Sequence, residues 1–473
     1  MTARTTQDGS SRSGGPLEPE VLARLAARFR GALIGPDHPE YDQARRVYNG
    51  MIDRYPRLIA RCTDAADVVA AVRFAREQQL LLAVRGGGHN VAGFGTCDGG
   101  MVLDLSGMKG IRVDPARRRA WAQPGVTWGE LDHATHAFGL AAPGGIISST
   151  GIAGLTLGGG IGHLSRRCGL SCDNLLAADV VTADGRLVTA SAEENPSLYW
   201  GLRGGGGNFG VVVSFEYQLH PVGTVCGGPI FYPLARAGEV LRLYREFIAQ
   251  APEELGAFFA FQIGPDAPFV PEAHRGETMC AIVVCWSGSP ERADAVLRPL
   301  REVVPPAFEH VEPMPLPALN SAFDPLLPPG LQHYWKADFA TEISDRAIAI
   351  HERYGPQVPC VESTMHIYPI DGAPQRLGPD QTAFAYRDAR FAYVIAAMYP
   401  DPAASPANRR WVREYWEALH PHSAGGAYVN FMMDDEGSER VAASYRHNHA
   451  RLVELKRRWD PDNVFRLNQN IAP

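Results

Sequence analysis

Residues 80–90 read Leu-Leu-Leu-Ala-Val-Arg-Gly-Gly-Gly-His-Asn, and this stretch decides the fold. Leu80 to Val84 is a short apolar run, the signature of a buried strand. It passes without a break into Gly86-Gly87-Gly88. Glycine leaves backbone N–H groups bare, and bare N–H groups can cradle a phosphate. The stretch is not a dinucleotide fingerprint, because the G-x-G-x-x-G spacing is missing and no helix follows at once. It is not a Walker loop either, since no Gly-Lys-Ser/Thr occurs. No G-x-S-x-G nucleophile elbow is present, which counts against a serine hydrolase of that type. A single glycine cluster is ordinarily a tight turn, and a single histidine is ordinarily a satisfied surface or core residue. His89 stands apart because the backbone just before it is built to approach a ligand closely.

The pattern repeats outward from there. Glycine totals 49 of 473 residues, roughly 10% against an average of about 7%. From Pro143 to Gly162 the chain reads P-G-G-I-I-S-S-T-G-I-A-G-L-T-L-G-G-G-I-G, and Arg203 to Gly210 reads R-G-G-G-G-N-F-G. Several such clusters within one segment argue that backbone wraps a large ligand carrying phosphates. The segments between them alternate helix and strand. Leu17 to Gly31 reads as a helix with Val21, Leu22, Leu25 and Phe29 on one face. Pro56 to Ile59 reads as a strand. Thr63-Asp64 is an N-cap setting for a helix facing inward with Val68, Val69, Val72 and Ala75. Met101–Leu105 and Ala120–Gln123 read as strands, and Trp128–Phe138 as a helix. Ala177–Thr182 and Leu187–Ala190 are strands joined by the hairpin turn Asp184-Gly185, and Val211–Tyr217 is another.

After Pro221 the glycine clusters stop and prolines rise. Short strands and helices alternate from about Cys226 to Ser423, which suggests an antiparallel α+β sheet domain. Gly437 to Trp459 reads as one long amphipathic helix stopped at Asp460-Pro461. A strand-like segment, Val464 to Asn470, follows. These shifts divide the chain into a leader over 1–16, a glycine-rich part over 17–222, a strand-and-helix part over 223–425, and a last segment over 426–473.

Composition narrows the function. Hydrophobic residues are 45% and charged residues 21%, ordinary globular usage. The net charge of −7 disfavours a nucleic-acid partner, which selects for a basic excess. No apolar run reaches the ~18 residues of a membrane helix, and Met1 to Gly15 lacks the apolar core of a secretory signal. The eight cysteines form no C-x-x-C pair and no zinc-type spacing, so no metal site is expected. They read as reduced, buried small hydrophobes of a cytoplasmic protein.

The motifs resemble one family. R-G-G-G-H-N at 85–90 is similar to the flavin-attachment loop of FAD-linked oxidases of the vanillyl-alcohol oxidase and p-cresol methylhydroxylase superfamily, and most of all to its berberine-bridge-enzyme-like branch. C-D-G-G-M-V-L-D-L-S-G-M from Cys97 agrees, as does the block Gly144 to Asn174. So do W-G-L-R-G-G-G-G-N-F-G-V-V from Trp200 and the tail D-P-D-N-V-F-R-L-N-Q-N-I from Asp460. The resemblance implies an α+β fold. A two-part FAD-binding domain of the p-cresol methylhydroxylase type would carry an inserted antiparallel-sheet substrate domain roofing the flavin. It implies FAD as cofactor, bonded through its 8α-methyl group to His89. Further FAD contacts carried over are Arg85, Gly86, Gly87, Gly88, Asn90, Thr150, Gly151, Gly154, Leu155, Gly158, Gly159, Gly162, His163, Val213, Tyr428, Asn430, Asn468 and Asn470.

Two positions depart from the pattern. Relatives with two flavin bonds carry a cysteine where this chain has Ile147, so one bond is expected. Relatives that oxidise alcohols often carry Tyr-x-Asn-Tyr, the second tyrosine acting as base; here the run is Tyr428-Val429-Asn430-Phe431, and phenylalanine cannot take a proton. The candidate acid–base group moves to the strand before Asp371-Gly372. Alternation puts Glu362, Thr364, His366 and Tyr368 on one face, with His366 nearest the expected place and its unperturbed pKa suited to neutral pH. The alternative is that His366 is a structural residue of the sheet.

The function expected is an oxidase. Hydride passes from a hydroxylated or phenolic small molecule, such as a secondary-metabolite intermediate, to FAD, and dioxygen reoxidises the flavin. A flavin monooxygenase on the same scaffold and a flavoprotein that sequesters a toxic compound are the alternatives, and a flavin-free carbohydrate-binding protein is the remaining one. Loss of two hydrogens against gain of oxygen separates the first two.

Overall fold

The apolar run of the first glycine cluster becomes β3 (Leu82–Arg85), which lies parallel to β4 (Met101–Asp104). On the other side of β4 is β2 (Leu58–Arg61), also parallel, and β1 (Ala32–Ile34) closes the sheet antiparallel to β2. Parallel strands of one sheet need a long crossover. Between β2 and β3 that crossover is the helix Ala65–Glu77, whose Asp64 cap accepts the N–H groups of Ala66 and Asp67. Between β3 and β4 it is residues 86–100 themselves, so the R-G-G-G-H-N loop leaves from the carboxyl end of a parallel strand, the usual place for a ligand in such sheets. Arg85 and Asp104 face each other in register and form a buried ion pair at 2.8 Å. Burial alone would raise the Asp104 carboxyl, but the Arg85 guanidinium holds it below the usual carboxylate range. The structure, a computed structural model, describes residues 17–473; the expected leader at 1–16 lies outside the described residues.

A second sheet is antiparallel, in the order β5 (Ile111–Asp114), β6 (Arg119–Ala122), β10 (Val211–Gln218), β8 (Leu175–Val181), β9 (Leu187–Ser191). Gly185 turns β8 into β9 with φ +75°, a conformation open to glycine. A two-stranded pair, β7 (Leu140–Ala141) with β11 (His220–Pro221), lies beside it.

The third sheet has eight strands: β12 (Thr224–Tyr232), β13 (Leu255–Ile263), β14 (Thr278–Trp286), β15 (Phe308–Glu309), β16 (Glu312–Pro315), β17 (Gln332–Ala340), β18 (Thr364–Pro369) and β19 (Phe391–Tyr399). They run in the order β15-β12-β14-β13-β18-β19-β17, with β16 also on β12, and all pairs are antiparallel. Every residue of β19 is buried. Its Tyr393, Ile395, Ala397 and Tyr399 pack under helices that include Ala237–Gln250 and Ser405–Leu419. Ala392, Val394, Ala396 and Met398 point the other way, toward the glycine-rich half. Each large apolar side chain so enclosed contributes about 1.5–3 kcal/mol.

The tail differs from expectation in two ways. The single helix over 437–459 is two, Gly437–Tyr445 and Asn448–Trp459, broken at Arg446 with φ +47°. Arg446 lies over the Tyr386 ring at 3.6 Å, and Asn448 donates to the carbonyls of Pro379 and Thr382. These tertiary contacts override a helical pattern. The segment 464–470 forms no strand. The Val464 and Phe465 N–H groups go to the Asp460 carboxylate instead, and buried Lys456 ties Asp460 to the carbonyls of Asn208 and Phe465. The first helix is also shorter than expected, Pro19–Ala26. Among the described residues no helix is long and apolar enough to cross a membrane, and no cluster of metal-ligating side chains occurs.

Candidate active site

The three glycine clusters meet under the eight-stranded sheet and enclose a cavity of about 340 Å³, within the roughly 300–1,000 Å³ of small-molecule sites. The clusters interlock through bare backbone. A Cβ on Gly87 would lie 2.6 Å from the Gly151 Cα, and one on Gly151 would lie 2.6 Å from the Gly87 nitrogen. Gly154 and Gly207 face the opposite situation, with nothing within 4 Å of an added Cβ. Among the described residues, no protein acceptor takes the N–H groups from Gly86 to Asn90.

His89 is half-buried in the cavity wall. Its ring stacks on Tyr48 with centroids 3.6 Å apart. Nε2 is 2.9 Å from the Ser149 hydroxyl and Nδ1 is 3.4 Å from the Thr150 hydroxyl. Desolvation pushes the imidazole down to about 4, so the ring is neutral at pH 7. Neutral imidazole is the nucleophilic form.

The roof comes from alternate residues of four strands: Gln262 on β13, Thr364, His366 and Tyr368 on β18, Val394, Ala396 and Met398 on β19, and His333 and Trp335 on β17. His366 Nδ1 sits 2.6 Å from the Tyr368 hydroxyl, and the Phe258 ring lies 4.7 Å from His366. Burial, helped by the nearby His163, pushes His366 down to about 3, and burial drives the Tyr368 phenol well above its ordinary value. The two form a neutral hydrogen-bonded pair in an aromatic wall completed by Phe431. This changes one expectation: His366 does not titrate near neutrality.

The structure gathers most of the sequence-derived residues on this cavity. Arg85, Gly86, Gly87, Gly88, His89 and Asn90 line it, as do Thr150, Gly151, Gly154 and Leu155. Asn430, Asn468, Glu362, His366 and Tyr368 line it too, and so does Ile147 at the expected cysteine position. Arg85 turns its guanidinium to Asp104 rather than to the cavity.

Seven expected contacts lie off the cavity, His163 among them beside Phe258. Val213 packs in the core under the helix Ala65–Glu77, one residue too far along β10. Gly158 is pressed against the Asn430 side chain, Gly159 against Phe384 and Tyr428, and Gly162 against the Gly144 carbonyl. Their bareness serves packing between loops. Tyr428 is buried; its hydroxyl accepts the Gly160 N–H and the Asn430 amide, each at 2.7 Å. Asn470 is set back, with a buried Oδ1 lacking a partner. His163 is fully enclosed, its Nε2 without a partner.

Sequence reasoning missed Tyr48, Asn208, Phe323, Leu327, His333 and Trp335, all on the cavity wall. They come from loops or strands with no motif. Only Asn208 carried a signal, as part of the third glycine cluster.

These residues fit an FAD. The unsatisfied N–H groups of 86–90 suit a pyrophosphate or flavin edge, and the space beside Gly154 and Gly207 is where a Cβ would intrude. The buried Asn468 Oδ1 lacks a partner, and buried polar atoms ordinarily have one.

Comparison with known proteins agrees. Residues 56–191 match the model of an FAD-binding domain, and residues 427–472 match that of the berberine and berberine-like proteins. An FAD-linked oxidoreductase of Dictyostelium discoideum is 31% identical over 461 residues, covering 96% of this chain and 97% of that one. (R)-6-hydroxynicotine oxidase of Paenarthrobacter nicotinovorans is 32% identical over 471 residues, covering 94% and 97%. The crystal structure of 6-hydroxy-D-nicotine oxidase from Arthrobacter nicotinovorans superposes with a TM-score of 0.84 at 28% identity, over 94% of this chain and 98% of that one. With identity at this level along nearly the whole of both chains, and the glycine clusters assembled on one cavity, the chain belongs to the FAD-linked oxidoreductases of the berberine-bridge-enzyme-like family.

Proposed function

We propose that this FAD-dependent oxidoreductase is an oxidase whose flavin is joined by one bond to His89, and that it oxidises a hydroxylated or phenolic small molecule. The observation that carries the reading is the His89 ring on the cavity wall, stacked on Tyr48 and held by Ser149 and Thr150 beside a loop whose N–H groups have no protein acceptor among the described residues. Bound there, FAD supplies the redox chemistry, taking a hydride equivalent from substrate and giving two electrons to dioxygen.

The chain's own residues do the rest. The Gly86–Asn90 N–H groups hold the cofactor against the floor. Ile147 offers no thiol, which supports a single bond. Trp335, Phe431 and Phe323 line the cavity with aromatic rings, which suits a flat substrate. His366 Nε2 is the atom left to meet a substrate hydroxyl, its Nδ1 being engaged by Tyr368. A base with a pKa of about 3 takes no proton from an ordinary alcohol at rest. It can take one as hydride departs, when the oxygen becomes strongly acidic. Neutral His366 thus suits concerted transfer, or a phenol that ionises on its own. The named activity of the hydroxynicotine oxidase relative supports a hydroxylated substrate, and eight unpaired cysteines support a reducing, cytoplasmic setting.

The test is turnover in air with hydroxylated aromatic compounds. The expected result is hydrogen peroxide in step with a product two hydrogens lighter. A product heavier by one oxygen contradicts the oxidase reading.

A further inference from the structure

His89 belongs to the glycine-rich half, yet what holds its ring traces to the other half. Its face rests on Tyr48, and its edge meets Ser149 and Thr150. Both supports are gripped by one segment between β16 and β17, which reads Phe323-Asp324-Pro325-Leu326-Leu327-Pro328-Pro329-Gly330. The Asp324 carboxylate accepts the backbone N–H of Ser148 at 3.0 Å and, through its second oxygen, the Ser148 hydroxyl. The Leu327 carbonyl accepts the Tyr48 hydroxyl at 2.6 Å. The Gly330 N–H donates to the Tyr48 carbonyl at 3.0 Å. Three prolines fix φ along the segment, so it acts as a stiff strap.

We propose that Asp324 is a positioning residue for flavin attachment: by fixing Ser148 it sets the Ser149–Thr150 hydroxyls that orient the His89 ring. The inference rests on the reading of His89 as the attachment residue. On that reading, a bond forms between a His89 ring nitrogen and the flavin methyl carbon. One hydrogen leaves the imidazole and one leaves the methyl group. The two electrons stay on the flavin until dioxygen takes them, giving hydrogen peroxide. Such a step depends on the angle and distance of the attacking nitrogen. The ring nitrogens of His89 are placed by two hydroxyls on adjacent residues, and the residue before them is the one held by Asp324. The Ser148 and Thr150 carbonyls accept the N–H groups of Gly129 and Trp128, and the Thr150 N–H donates to the Ile147 carbonyl; the contacts of Asp324 to the Ser148 N–H and hydroxyl are the ones that tie this turn to the segment between β16 and β17.

The experiment follows the rate at which FAD becomes acid-stable in full-length protein incubated with FAD in air, read as flavin fluorescence of the denatured chain. Asp324→Ala is expected to slow attachment by ~10²-fold, the scale set by an ~1 Å misplacement, with non-covalent FAD binding and thermal midpoint retained. Asp324→Asn, which keeps one oxygen for the Ser148 N–H, recovers part of the rate. Ser148→Ala, which loses only the hydroxyl contact, slows it less than Asp324→Ala. Ser321→Ala, whose hydroxyl donates to the Ala318 carbonyl in the same segment, attaches at the parental rate. Parental rates in both Asp324→Ala and Ser148→Ala overturn the inference. Should Asp324→Ala not fold, Ser148→Ala decides alone: slowed attachment in folded protein supports the inference, and a parental rate overturns it. A parental protein without acid-stable flavin, or a His89→Ala variant that has it, overturns the reading of His89 itself and the inference with it. Acid-stable flavin on His89 with unaffected variants overturns only the role of Asp324.

Discussion

The cavity floor is built largely from glycine-rich loops: among the described residues the Gly86–Asn90 N–H groups have no protein acceptor, and Gly151, Gly154 and Gly207 line the cavity. The roof is built from side chains, standing on β13, β17, β18 and β19 at every second residue. The floor works by what is missing, and any side chain there disturbs it. The roof works by which side chain each strand presents, and by how its neighbours bury it. A cofactor of fixed shape suits the first kind of surface, and a substrate that differs between relatives suits the second.

The largest expected effect is on the floor. In Gly87→Ala the new methyl would meet Gly151 backbone at 2.6 Å. Relieving that contact costs about 1–3 kcal/mol and separates the two loops. We expect loss of bound flavin after gel filtration and a lower thermal midpoint. Gly154→Ala meets nothing within 4 Å, so its fold should survive while flavin occupancy falls. Equal behaviour of the two variants would break the distinction between interlocked and open glycines.

Next is the seam between floor and roof. Asp132, on the helix Trp128–His136, accepts the Asn320 amide at 2.8 Å with its other oxygen buried and unpartnered. Desolvation raises its carboxyl to about 7. The stability this gives is fully present below the ordinary value of 3.8 and is lost as pH rises toward 7. Asp132→Asn removes that dependence. Relative to the parent, the variant should gain about 1.4 kcal/mol per pH unit between pH 4 and 7, on the order of 4 kcal/mol in all, and then level off. Urea unfolding of both proteins at several pH values measures it, and a pH-independent difference would show that Asp132 titrates normally.

On the roof, His366→Ala should slow anaerobic flavin reduction by about 10²-fold and leave flavin content unchanged. That combination is the mirror of the glycine variants, which lose cofactor. Reduction at the parental rate would make His366 structural.

The smallest expected effect is an absence. If His366 is the proposed base, its neutral form is the active one, and its contribution is full above about 3 and lost only as pH falls through that value. The reduction rate should show no limb from this residue between pH 5 and 8. A limb near 6.5 that vanishes in His366→Ala would mean the site is wetter than the packing of Phe258 and Tyr368 implies.

The same contrast explains how much was legible in the chain. The first and second glycine clusters and the alternation of Thr364, His366 and Tyr368 could be read, since spacing and bareness are written directly; that Gly87 and Gly151 press on each other could not. The environment of His366 could not: its depressed pKa depends on Phe258 and His163, more than a hundred residues away. Tyr48 and Asp324 were invisible for the same reason, meeting His89 and Ser148 only through folding. Gly158, Gly159 and Gly162 show the limit of reading bareness alone, because their neighbours are Asn430, Tyr428 and Gly144 rather than the cavity. The helix expected over 437–459 failed where Arg446 is pulled onto Tyr386, a contact no periodicity encodes.

A peptide map of the acid-denatured, protease-digested protein, read by flavin absorbance and mass, tests the single bond at His89. Flavin is expected on one peptide only, the one containing His89. All flavin free in the supernatant, or flavin on a peptide holding Cys168 or Cys172, would contradict it.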